Sequence, residues 1–160
     1  CYLGIALHDK KRYEEAVAAY KKAIAIQPTF PIAWNNMGNS LRYLLRFDEC
    51  ERAFAKALEQ QPRYANAFKN RAAMRATQGL ISQACEDYEL AMAIQMNDPE
   101  LHRNIGVLRL MLGDFRRGWL EYRWRWQCND AARIQSPRPR WDGSDIAGKR
   151  ILLYSEQGLG

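Results

Sequence analysis

The sequence is short of several things, and each shortage closes off a class of protein. It has four cysteines, Cys1, Cys50, Cys85 and Cys128, scattered far apart with no C-x-x-C pair. With only His8 and His102 to assist them, neither a zinc site nor a disulfide framework is indicated, and reduced thiols in a cytoplasmic setting are expected. No apolar run approaches the ~18 residues that a membrane span requires. Position 1 is a cysteine already inside an amphipathic helical pattern, so no signal peptide is expected and the chain reads as cut at both ends. No nucleophile paired with a base, no carboxylate pair and no metal-ligand cluster stands out, so neither catalysis nor a metal or cofactor is expected.

What is present points to a folded chain. Hydrophobic residues make up 48% and charged residues 26%, which excludes wholesale disorder. The net charge of +6 is uneven: ten of the 24 basic side chains but only six of the 18 acidic ones fall in residues 109–160.

Self-comparison is the decisive test, because a fixed period settles the fold before local propensity does. Shifting the chain by 34 residues aligns it with itself. With Pro31, Ala65 and Pro99 as the first places of successive units, the eighth place holds Gly4, Gly38, Ala72 and Gly106. The twentieth holds Ala16, Cys50, Ala84 and Gly118. Small residues at both places are what two antiparallel helices need where their backbones come closest. Bulky residues recur too: Tyr13, Phe47, Ile81 and Phe115 at the seventeenth place, Tyr20, Phe54, Tyr88 and Tyr122 at the twenty-fourth. They are expected to fill the gaps beside the small ones. Pro28 and Pro62 close two units, and Gly79 and Gly113 mark turns within the third and fourth.

This pattern, W-x-x-M-G-x-x-L from Trp34 to Leu41, then C-x-x-x-F-x-x-A and Pro62, resembles the tetratricopeptide repeat over residues 1–127. The resemblance implies an all-α fold, a right-handed superhelix of about four helix-turn-helix units, with each first helix on the concave side. Helices are expected to about residue 9, then at 13–27, 31–45, 47–61, 65–78, 81–96, 99–112 and 115–127. Departures from the family pattern are Arg71, Arg75 and Arg109 at apolar places, His102 for an aromatic, Met96 for a proline and Arg125 for an alanine.

Packing does not explain one column. The sixth place reads Asn36, Asn70 and Asn104. Asparagine is a mediocre helix former, so its recurrence there brings nothing locally. Its amide offers both donor and acceptor and can clamp the main chain of an extended peptide; the alternative is that it bridges adjacent repeats or is solvated. The ladder, within "WNNMGN" at 34–39, resembles the groove of the O-linked N-acetylglucosamine transferases, which implies peptide binding. Asn35, Lys69 and Arg103 at the fifth place, Asn66 at the second and Asn39 at the ninth join the candidate groove, whose cations would suit an acidic segment.

"FRRGWLEYRWRW", residues 115–126, mixes arginine with aromatics, as single-stranded nucleic-acid binders do. Phe115, Trp119, Tyr122 and Trp126, however, fall on one helical stripe, so a buried stripe with solvated arginines elsewhere is the expectation, and nucleic acid is disfavoured.

Residues 128–148, rich in proline, glycine and charge, read as a linker, with Trp141 placed to dock on the last helix. Residues 150–155 read as a strand opening an α/β domain at 149–160, followed by a turn whose Gln157, Gly158 and Gly160 form a candidate ligand loop. "RWDGSDIAGKRILLYSEQGLG" and the preceding "LGDFRRGWLEYRWRW" resemble the junction in bacterial proteins that join tetratricopeptide repeats to a heptosyltransferase-like glycosyltransferase domain. The expected function is capture of a protein or peptide in the groove, with self-association through exposed solenoid ends. The alternative is the substrate-selecting arm of a glycosyltransferase.

Overall fold

The computed structural model describes residues 1–128 and 147–148. Among them are eight α-helices in chain order: α1 (Tyr2–Asp9), α2 (Tyr13–Ile26), α3 (Pro31–Tyr43), α4 (Phe47–Gln60), α5 (Ala65–Thr77), α6 (Ile81–Ile94), α7 (Pro99–Met111) and α8 (Phe115–Tyr122), the last running into a 3-10 turn at Arg123–Gln127. The expected strand at 150–155, the loop at Gln157, Gly158 and Gly160, and the docking of Trp141 all lie outside the described residues.

Each unit is an antiparallel helical hairpin, and the hairpins stack in order. Pro31 and Pro99 open α3 and α7 at a position where a missing N–H costs nothing. Asp98 and Asp114 cap α7 and α8 through their side chains. The elbow inside every hairpin uses the same device. Lys11, Leu45, Gly79 and Gly113, the fifteenth place of each unit, all have φ between 57° and 80°. Glycine takes that left-handed conformation without strain, whereas lysine and leucine bear a Cβ penalty of roughly 1–2 kcal/mol.

The small and large places interlock as their periodicity predicts. A Cβ on Gly4 would come within 2.5 Å of the Tyr20 ring, and one on Gly38 within 2.8 Å of Phe54. In the fourth unit, where both small places are glycine, a Cβ on Gly106 would meet the Tyr122 backbone nitrogen at 2.6 Å. Here main chain replaces the ring as the contact. α8 accordingly departs from the expected helix over 115–127: it ends at Tyr122, and the tighter 3-10 turn that follows carries Trp124 flat onto His102, ring centres 4.1 Å apart.

The core divides in two. One cluster, around Tyr20, Leu41, Phe54 and Met74, belongs mainly to the first two units; the other, around Tyr88, Leu101 and Ile105, to the last two. Between them lies a polar knot. Arg71 grips Asp87 with two hydrogen bonds, 2.9 and 2.6 Å, while Arg75 reaches Asp87 at 2.9 Å and Glu51 of the preceding unit at 2.9 Å. Asp87 is 1% exposed. Burial alone would lower the Arg71 guanidinium, but its hydrogen bonds to Asp87 and the charges of Asp87 and Glu51 reverse that and raise it.

The fourth unit repeats the device. Arg109 pairs with Glu121 at 3.1 Å and with Glu89 at 2.7 Å, and His102 bonds Glu121 through Nδ1 at 2.5 Å and the Met96 carbonyl through Nε2 at 2.7 Å. The family departures at Arg71, Arg75 and Arg109 are therefore ion-paired interior groups, and His102 is a hydrogen-bonded one.

Correction is needed at the aromatic stripe. Phe115 is 61% and Trp119 57% exposed, with Tyr122 and Trp126 half-buried, so the stripe is not a buried one. Helical spacing places residues on one face, but here no described element covers it.

Asp87→Ala leaves two interior arginines without their shared acceptor and is expected to destabilise the chain by about 3–5 kcal/mol, read by urea denaturation. Leu45→Gly, at an exposed strained elbow, is expected to stabilise by up to about 1 kcal/mol, seen as a higher melting temperature.

Candidate functional site

The first helices line the inner curve of the stack: α1 lies against α3 and α3 against α5, and no comparable contact joins the second helices. The sixth-place asparagines sit on these helices, half-buried. They are held by a relay of amides. Asn70 Nδ2 donates to Asn35 Oδ1 at 3.0 Å, and Asn35 Nδ2 donates to Asn36 Oδ1 at 3.1 Å. Farther along, Asn104 Nδ2 donates to the Tyr88 hydroxyl at 3.4 Å. Each sixth-place amide thus spends one end on the protein. Asn36 Nδ2, Asn70 Oδ1 and Asn104 Oδ1 have no hydrogen-bond partner among the described residues, and the relay fixes the direction in which they point.

The other expected groove residues divide. Asn35 is 4% exposed with both ends of its amide engaged, so it braces α3 against α5 and is closed to a ligand. The bridging alternative raised for the sixth place is met by one end of Asn70, whose Nδ2 makes this bond to the preceding unit. Lys69 is spoken for by Asp98 at 3.4 Å and Glu100 at 2.8 Å; burial lowers its ammonium, and these two carboxylates more than restore it. Asn66 is exposed at the start of α5, and Arg103 is half-buried on α7. Burial raises the Tyr88 phenol, while Asn104 and the charges of Lys69, Arg42 and Arg103 pull the other way, so cations from three units surround that hydroxyl.

Asn39 belongs to a second chain of polar contacts that sequence reasoning missed. Arg42 donates to Asn39 Oδ1 at 3.1 Å, which turns Asn39 Nδ2 toward His8 Nε2 at 3.4 Å. Nε2 is then an acceptor, so Nδ1 carries the proton and donates to Ser40 Oγ at 2.9 Å, and Ser40 donates to the Asn36 carbonyl at 3.1 Å. Around it, Tyr13 and Tyr43 stack at 4.7 Å, with His8 edge-on to both and Arg42 over Tyr43. A signal existed in the sequence: His8 and Arg42 hold the twelfth place in consecutive units.

The chain resembles known proteins along this same repeat. Family models described as TPR repeat and tetratricopeptide repeat match residues 4–41 and 31–64. Protein FlbA of Caulobacter vibrioides is 32% identical over 163 residues, covering 99% of this chain; the chain spans 27% of that relative's length. Among solved structures, the first TPR of Spaghetti (RPAP3) bound to the HSP90 peptide SRMEEVD superposes with a TM-score of 0.67 at 22% identity, over 70% of this chain and 89% of that one. MamA superposes with a TM-score of 0.72 at 18% identity, over 79% of this chain and 74% of its own. The fold is therefore that of an all-helical tetratricopeptide-repeat solenoid.

The hydrogen bonding of His8 sets a pH dependence. Burial lowers its imidazole from 6.5, only partly opposed by Asp9 and assisted by Arg42. A base depressed in the folded state binds its proton more readily when unfolded, so its contribution is present above about pH 6.5 and is lost as pH falls. The melting temperature is expected to drop on acidification through this range, and His8→Phe is expected to flatten the slope.

Proposed function

We propose that the chain is a protein-interaction module that holds an extended peptide along α3, α5 and α7, with Asn36, Asn70 and Asn104 pairing to the peptide main chain. One observation carries this: all three amides are braced on one side and unspent on the other. A half-buried donor or acceptor without a protein partner is held ready for an external one, and bracing reduces the rotamer entropy lost on binding. An extended backbone offers N–H and C=O groups at regular intervals, and a primary amide matches such a pair.

The RPAP3 repeat, which carries an HSP90 peptide, supports the reading as an instance of the same fold holding a short peptide. Side-chain preference would come from the groove's cations. Lys69 contributes little, because Asp98 and Glu100 already neutralise it. Arg42, which no carboxylate neutralises among the described residues, is better placed to favour an acidic residue near the Tyr88 hydroxyl.

A displayed library of random peptides tests this. The wild-type chain is expected to enrich a set of peptides whose binding drops at least about tenfold with Asn36→Ala, Asn70→Ala and Asn104→Ala combined, circular dichroism staying native. Equal binding by the triple variant would reject the groove.

A further inference from the structure

At both interior junctions where charge is used, the second helix of one unit offers a carboxylate to the first helix of the next. Glu51, at the twenty-first place on α4, meets Arg75 at 2.9 Å and Arg71 at 3.8 Å on α5. Glu89, at the twenty-fifth place on α6, meets Arg109 at 2.7 Å on α7. In the fourth unit those two places hold Trp119 on α8 and Arg123 in the 3-10 turn, so an aromatic ring and a cation stand where acids stood.

Phe115, Arg116, Trp119, Leu120, Arg123 and Arg125 line an open groove of about 590 Å³ on this face. Leu120, like Trp119, is 57% exposed. Arg116, Arg123 and Arg125 have no carboxylate partner among the described residues, whereas Arg117 is paired with Asp114.

We propose that this face docks an amphipathic α-helix of another protein, apolar along one stripe and flanked by glutamate or aspartate. The shape follows from position: the equivalent faces of α4 and α6 already receive helices, α5 and α7. The charge follows from the three arginines, and a rim of arginine around exposed tryptophan and phenylalanine is the composition of protein-docking surfaces. Sequence 129–150 is itself net basic, with Arg133, Arg138, Arg140, Lys149 and Arg150 against Asp130, Asp142 and Asp145, so its charge does not match that of the three arginines. A nucleic acid fits less well. Arg125 lies over the faces of Tyr122 and Trp126 at 4.6 and 4.0 Å, which leaves only Phe115 and Trp119 for base stacking, beside Leu120, whose aliphatic surface suits an apolar side chain and not a base.

The test uses the whole 160-residue chain and two labelled probe helices about five turns long, with the same leucine stripe, one flanked by glutamate and the other by lysine. Fluorescence anisotropy is expected to show binding of the glutamate helix only. Trp119→Ala should weaken it at least about tenfold, and Arg116→Glu with Arg123→Glu should transfer preference to the lysine helix. These side chains are exposed, so circular dichroism should not change. The Asn36, Asn70 and Asn104 triple-alanine variant should bind the glutamate helix as wild type does, which separates this site from the peptide groove. The proposal is overturned if both helices or neither bind, if Trp119→Ala has no effect, or if a single-stranded oligonucleotide displaces the probe. Sedimentation showing the chain paired with itself through this face would also overturn it.

Discussion

Two helices can share one aromatic ring only if one of them gives up its side chain at the crossing. The first two hairpins meet that constraint with Gly4 under Tyr20 and Gly38 under Phe54; the third uses Ala72 at the same place, and in the fourth Gly106 lies against the main chain of α8. Crossing distance fixes the tilt of each hairpin, tilt fixes which side of the first helix faces inward, and so the inner wall on which the asparagines stand is a consequence of glycine placement. The identical left-handed elbow at the fifteenth place completes the unit, even where lysine and leucine must bear it.

Given that scaffold, polar groups distinguish the last two hairpins from the first two. In the first two hairpins the partners of the eleventh and twenty-third places are apolar, Leu7 with Ala19 and Leu41 with Ala53; in the last two they are arginine with aspartate or glutamate, Arg75 with Asp87 and Arg109 with Glu121. An acid appears at the twenty-third place only where an arginine appears at the eleventh. Interior charge of this kind costs desolvation and returns it only when every partner is in place, so it favours one register between the two helices of a hairpin more than it adds stability. The amide link from Asn70 to Asn35 plays that part between units, on the groove side.

The fold was legible because its signal is repetitive: glycine, alanine and aromatic columns agree over several units, and helix ends fell within a few residues of their expected places. What escaped was pairwise. Single columns revealed Arg71 and Arg75 as oddities but not that Asp87 answers them, because the two lie on different helices of the hairpin. Asn35 looked like a groove residue because it neighbours Asn36; one step along a helix rotates a side chain by about 100°, enough to bury it. The stripe on α8 was misjudged for a related reason. Spacing identifies a face, whereas its cover must come from another element, and none of the described elements lies over Phe115 or Trp119.

The division of the core has a mechanical side. Apolar packing forms one cluster mainly in the first pair of hairpins and another in the last, joined across the seam by Met74 of α5 and by the bonds of Glu51 to Arg75 and Arg71. Oil-like contacts tolerate sliding; a set of short ionic bonds with fixed directions does not. Loss of Glu51 would therefore loosen the joint between the second and third units while leaving the Arg71 and Asp87 pair inside the third hairpin in place.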